Sequence, residues 1–187
     1  MAGDTILKGD ESPPSDPLVL LKSYFRFTNR NLFMNYWLMK SEPDECSIED
    51  ALAAPGKTVP WTGVRNYQAR NYMRDLMKVG DGVLFYHSSC PDPGIAGIAE
   101  VASPASPDAT QFDKKSKYFD AASKKEAPRW LHVGVRAKKK IRLIPLAELR
   151  EQKALENMVT LRRGNRLSIT PVTETEWNFI ARKLLKP

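Results

Sequence analysis

The chain predicts an α+β domain: a small curved sheet or barrel of about five to six strands with helices packed around it. Three observations carry that expectation. Apolar runs of strand length, such as Tyr36-Trp37-Leu38-Met39-Lys40, recur along the chain and are bounded by Pro, Gly, Ser or Asp. Segments with helical spacing fall between them, without the regular strand–helix–strand repetition of a parallel sheet. The stretch Val59 to Glu100 gathers a turn tryptophan, an Arg/Asn/Gln-rich helix and two strands, and it organises the rest.

Residues 1–33 read as an extension, either poorly ordered or the product of a mis-assigned upstream start. Asp10-Glu11-Ser12-Pro13-Pro14-Ser15-Asp16-Pro17 cannot build helix or central strand, because proline removes donors and restricts its neighbours. Leu18 to Phe33 has no clean period, and Met34 stands just before the expected core, residues 35–187. There, Tyr36 to Lys40 reads as a buried strand broken by Ser41-Glu42-Pro43. Ser47 with Asp50 makes a capping box for a helix Ile48 to Ala53. From Arg65 to Met77, positions 69, 72, 73, 76 and 77 follow the helical period and are expected to face the core. Val83 to Ser88 and Ile95 to Val101 read as an antiparallel hairpin. Residues 102–129 read as one long polar loop, a feature that is often functional. Trp130 to Arg142 alternates as a strand, and Pro145 starts a helix Leu146 to Glu151. Arg166 to Ile169 is a short strand closed by Pro171. Thr173 with Glu176 caps a last helix with Trp177, Ile180, Ala181 and Leu184 on its buried stripe.

Composition narrows the classes. The chain has 187 residues, enough for one domain with a proper core, and is 42% hydrophobic and 27% charged, as a soluble globular protein would be. Its longest early apolar run, Leu18 to Leu21, is too short for a secretory or membrane segment, so the expected setting is cytoplasmic, or nuclear in a eukaryote. Cys46 and Cys90 are expected to be reduced thiols. The net charge is +7, unevenly spread. Residues 35–101 carry 6 basic and 9 acidic groups, whereas residues 114–142 carry 11 basic and 2 acidic ones. That segment makes Lys124, Lys125, Lys138, Lys139 and Lys140 candidate phosphate contacts. Its alternative is a solvated loop.

Several motifs, in order, resemble the EVE domain: Tyr36-Trp37-Leu38-Met39-Lys40-Ser41-Glu42-Pro43, Trp61-Thr62-Gly63-Val64-Arg65-Asn66-Tyr67-Gln68-Ala69-Arg70-Asn71, Phe85-Tyr86-His87-Ser88, Pro93-Gly94-Ile95-Ala96-Gly97, Ile144-Pro145-Leu146 and Arg166-Leu167-Ser168-Ile169-Thr170-Pro171. The resemblance covers residues 35–187. It implies a PUA-like fold, a small β-barrel with flanking helices, and a reader of modified bases. EVE domains are in turn similar to YTH domains, whose aromatic cage holds a methylated adenine. On that wider pattern Lys40 and Ser41, Trp61 and Thr62, and Trp130 fall at pocket positions. The pattern departs at Phe85 to Ser88, so base identity does not transfer.

The candidate site follows from these residues. Trp61, in a turn, and Trp130, after the loop, are expected to sandwich one base, since stacking tolerates any base identity. Trp37 and Trp177 sit in periodic apolar runs and read as core. Arg65, Asn66 and Gln68 offer donors to a base edge or, for Arg65, a phosphate; such amides also cap helices and fasten loops. Ser41, Tyr86, His87 and Ser88 lie at strand ends, where pockets open. His87 also reads as a satisfied structural histidine. The expected function is a non-enzymatic module that binds DNA or RNA carrying a modified base. The alternatives are a small hydrolase or nuclease using His87 with Cys90 or a tyrosine, and a small-molecule-binding PUA-like module. With His87 and His132 as the histidines, neither a metal nor another cofactor is expected.

Overall fold

In the computed structural model, which describes residues 34–184, the chain runs β1 (Tyr36–Ser41), α1 (Ile48–Ala53), β2 (Thr58–Pro60), α2 (Tyr67–Asn71), β3 (Gly82–His87), β4 (Gly94–Pro107), β5 (Leu131–Pro145), α3 (Leu146–Glu151), β6 (Ile169–Val172) and α4 (Glu174–Phe179). The expected extension, residues 1–33, lies outside the described residues. The six strands form one mixed sheet in the order β2-β5-β4-β3-β1-β6, in which β1 and β3 are parallel and the other pairs antiparallel. The fold is therefore α+β. The sheet stays open rather than closing as a barrel. Its edge strands, β2 and β6, are short and contain Pro60 and Pro171, which have no N–H to extend a ladder. Pro171 thus sits within the edge strand it was expected to end.

Strand periodicity sends alternate side chains to two separate cores. Trp37, Met39, Val83 and Phe85 pack with α1 and α2 on one face; Leu38, Leu84, Tyr86 and Ile95 pack with α3 and α4 on the other. Burial on both faces explains why β1 and β3 read as continuous apolar runs. Both capping boxes form, Ser47 with Asp50 and Thr173 with Glu176.

Two further elements differ from expectation. The second helix starts at Tyr67 and widens at once into a π-type turn, Tyr72–Leu76, closed by Met77 N–H donating to the Tyr72 carbonyl. The wider turn keeps Ala69, Met73 and Met77 buried but rotates Leu76 outward. The loop 102–129 is also shorter than its composition suggests. Strand β4 continues to Pro107, paired with Leu131, and Pro104 is absorbed in the irregular register between Ser103 and Ser106. Among the described residues, no helix is long and apolar enough to cross a membrane.

Candidate functional site

A half-open cleft of about 580 Å³ lies at the carboxyl ends of the parallel strands β1 and β3, where Lys40, Ser41 and Ser88 leave the sheet. Its far wall is the turn after β2. The Trp61 N–H donates to the Val133 carbonyl at 2.8 Å, which continues the β2–β5 ladder and holds the indole in place. The ring meets Phe85 edge-to-face, with centroids 5.0 Å apart, and is 6% exposed. Val59 and Val64 supply apolar surface beside it, and Thr62 is exposed at the rim.

Tyr118 closes another side. Gly63, at φ +81°, lets this ring lie against the backbone, because a Cβ there would stand 2.6 Å from the ring. The phenol donates to the Glu45 carboxylate at 2.6 Å, and Lys117 pairs with the same carboxylate. Burial, then the nearby Glu42 charge, raises the Tyr118 pKa, which keeps the phenol a donor.

The hydroxyls at the strand ends are set by backbone bonds. Ser41 Oγ donates to the Cys46 carbonyl at 2.7 Å, and Ser88 N–H donates to the Ser41 carbonyl at 2.8 Å. The Lys40 N–H donates to Ser168 O at 2.8 Å, which brings Ser168 and Arg166 to the cleft. Burial lowers the Lys40 pKa.

Behind Tyr118 runs a ladder of rings and cations. The Arg65 guanidinium lies 5.3 Å from the Tyr118 ring and 5.6 Å from Trp130; Tyr67 packs on Trp130 at 4.9 Å, and Arg70 covers Tyr67 at 5.0 Å. Arg65 is also tied to the Asp108 carboxylate at 2.8 Å, to Thr110 Oγ1 and to the Tyr118 and Val64 carbonyls. Asp108 is fully buried. Burial alone would raise its pKa, but donation from Arg65, Thr110 and Gly63 outweighs it and holds the carboxyl below its ordinary value.

The expected site residues thus divide. Trp61, Thr62, Lys40, Ser41 and Ser88 come together at the cleft. Trp130 does not line it: the ring is buried in the ladder and its N–H donates to Asp120 at 2.7 Å. Arg65 uses its donors internally, in place of a phosphate. Asn66 is the cap of α2, accepting from Ala69 N–H, and Gln68 donates to the Tyr72 hydroxyl. His87 accepts from Ile48 N–H at 3.1 Å, so it caps the start of α1 rather than facing the cleft. Burial lowers its pKa. Tyr86 faces a second cavity. Lys138 pairs with Glu100 and Lys140 with Glu49, whereas Lys124, Lys125 and Lys139 are exposed without an ion pair among the described residues. Sequence reasoning missed Glu45, Arg166, Ser168 and the closing role of Tyr118. The one signal for Tyr118 was an aromatic pair in a polar loop.

A single α+β domain with an aromatic-walled cleft at its strand ends, of a volume typical of small-ligand sites, has the form of a ligand-binding module. This one belongs to the EVE domain family, whose profile matches residues 35–183. Human thymocyte nuclear protein 1 is 41% identical over 197 residues, covering 96% of this chain and 84% of that protein. The crystal structure of human THYN1 protein in complex with 5-methylcytosine containing DNA superposes with a TM-score of 0.74 at 44% identity, over 78% of this chain and 95% of that one. A Pseudomonas putida protein of known structure is 46% identical, with a TM-score of 0.74 over 78% of this chain and 97% of that one.

Proposed function

We propose that this chain is a non-enzymatic nucleic-acid-binding module that reads a modified base, with 5-methylcytosine in DNA as the first substrate to test. The observation that supports it is the Trp61 cleft on a fold shared with the human protein whose structure holds 5-methylcytosine-containing DNA. In this reading the base lies against Trp61 and is enclosed by Tyr118. Ser41, Ser88 and Ser168 meet its hydrogen-bonding edge, and Val59 and Val64 receive the methyl group. Trp130 acts from behind, by holding Arg65 under Tyr118. Extrusion of the base from a duplex costs a few kcal/mol, so single-stranded or weakened sites bind better.

The hydrolase alternative has less support. His87 has its acceptor nitrogen engaged by Ile48 N–H, and burial raises the pKa of the neighbouring Tyr86, which disfavours its phenolate. In a eukaryote the protein would act in the nucleus, as the names of its relatives suggest. In this reading residues 35–187 form the reading domain, and deleting residues 1–33 should leave binding and melting temperature nearly unchanged.

The test is titration of matched oligonucleotides with cytosine or 5-methylcytosine, single- and double-stranded, at two salt concentrations. Tighter binding to the methylated strand supports the reading. Equal affinity for both, or binding to neither, overturns it.

A further inference from the structure

We propose that the phosphate track of this module is not the lysine-rich segment but a second cavity beside the base cleft, carrying Arg150, Arg162 and Arg163, and that the strand flanking the recognised base runs across it. This rests on the reading that the chain binds nucleic acid.

The cavity, of about 480 Å³, is lined by basic groups, Tyr86 and Asn165, and no acidic side chain contributes to it. Lys40 lines both cavities, its ammonium 5.9 Å from the Tyr86 ring, so it stands between a base in one and a backbone in the other.

The charge that looks most prominent in the sequence is partly neutralised in the fold, although Lys124, Lys125 and Lys139 form no ion pair among the described residues. Arg136 and Lys138 pair with Glu100, Lys140 with Glu49, Arg142 with Glu148 and Lys117 with Glu45. Arg150, Arg162 and Arg163 are exposed and form no ion pair among the described residues. Their guanidinium groups therefore offer uncompensated charge, with the forked donors that suit phosphate oxygens.

The loop that displays two of them is built. Leu155 and Met158 are fully buried beneath it. Asn165 donates from its side chain to Val159 O at 2.6 Å and accepts from Leu167 N–H at 2.9 Å. Gly164, at φ +80°, makes the reversal that a side chain would strain. A fixed loop loses little entropy when a strand lands on it.

The experiment compares an Arg162→Gln/Arg163→Gln variant with Lys138→Gln/Lys139→Gln and the parent chain. Each binds methylated and unmethylated oligonucleotides over a salt series, with melting temperatures measured alongside. An Arg150→Gln variant repeats the test from α3, in case the loop variant is unstable. In the arginine variants the slope of log K against log salt should fall by about 0.7 to 0.9 for each phosphate left without its arginine, equally for both oligonucleotides. The preference for the methylated base should stay at the parent's ratio. The lysine variant should keep the parent's slope. If the parent binds but folded arginine variants keep its slope, the track is overturned and base reading survives. A reduced slope in the lysine variant alone overturns it too. A parent that binds neither oligonucleotide overturns both readings.

Discussion

Trp61 serves two ends, because the indole that lines the cleft also packs on Phe85 in the first core. Truncating it to Ala would cost about 3–5 kcal/mol of stability and confuse site with core. Trp61→Phe keeps an aromatic edge on Phe85 and removes part of the wall. It should weaken binding of the methylated oligonucleotide by about 1 kcal/mol, with the melting temperature lowered by only a few degrees. Binding curves and thermal melts on one preparation check this. His87 gives a second residue-scale expectation. Its pKa is lowered from 6.5 chiefly by burial, with Lys140 adding to the shift and Glu49 and Asp50 opposing it. A depressed folded pKa means that the unfolded chain takes up the proton first. Stability is then full above 6.5 and falls as pH drops below it toward the folded pKa. Protonation also removes the acceptor for Ile48 N–H, so the first N–H of α1 loses its partner while the Ser47–Asp50 capping box remains. The melting temperature should step down as pH falls below 6.5, and His87→Gln should lack that step.

At the scale of elements, one anchor of the segment after β4 is the Arg65–Asp108 ion pair, whose carboxylate is buried. The carboxylate of Asp108 satisfies Gly63, Thr110 and Arg65 at once, and Arg65 carries Tyr118 through its carbonyl and its ring. Arg65→Ala leaves that carboxylate buried without its countercharge, at a cost of about 3–5 kcal/mol. Denaturant unfolding should show this loss, and limited proteolysis should show earlier cleavage within residues 113–128. Since the Asp108 carboxyl lies below its ordinary value, its contribution is present at neutral pH and disappears as pH falls through the folded pKa.

Across the whole molecule, one sheet separates two cores that share few partners. Met73 belongs to the face of α1 and α2, and Leu155 to the face of α3 and α4. Met73→Ala and Leu155→Ala should each cost about 2–5 kcal/mol. The double variant should show nearly their sum, within about 0.5 kcal/mol, because additivity holds for sites that share no neighbours. Guanidinium denaturation of the three variants measures it. A large departure from additivity would mean that the faces are coupled through the sheet.

Local chemistry made much of this fold legible in advance. Helices α1 and α3 are legible at Ile48 to Ala53 and Leu146 to Glu151 because caps and prolines act within a turn of the chain. Strand β1 stood out because a strand buried on both faces must be apolar throughout. Trp61, Lys40, Ser41 and Ser88 were also readable as cleft residues, through position at turns and strand ends together with the family's motifs. Only the tertiary structure decided how charge and polarity were used. The donors of Arg65 and the imidazole of His87 are consumed by partners that no spacing rule connects to them, whereas Asn66 caps α2 through Ala69, three residues on. Lys138 and Lys140 meet Glu100 and Glu49 only once strand register and the position of α1 are set. Hydrophobic periodicity is a property of neighbours along the chain, whereas a hydrogen bond or an ion pair depends on which distant atoms the fold brings within about 3 Å.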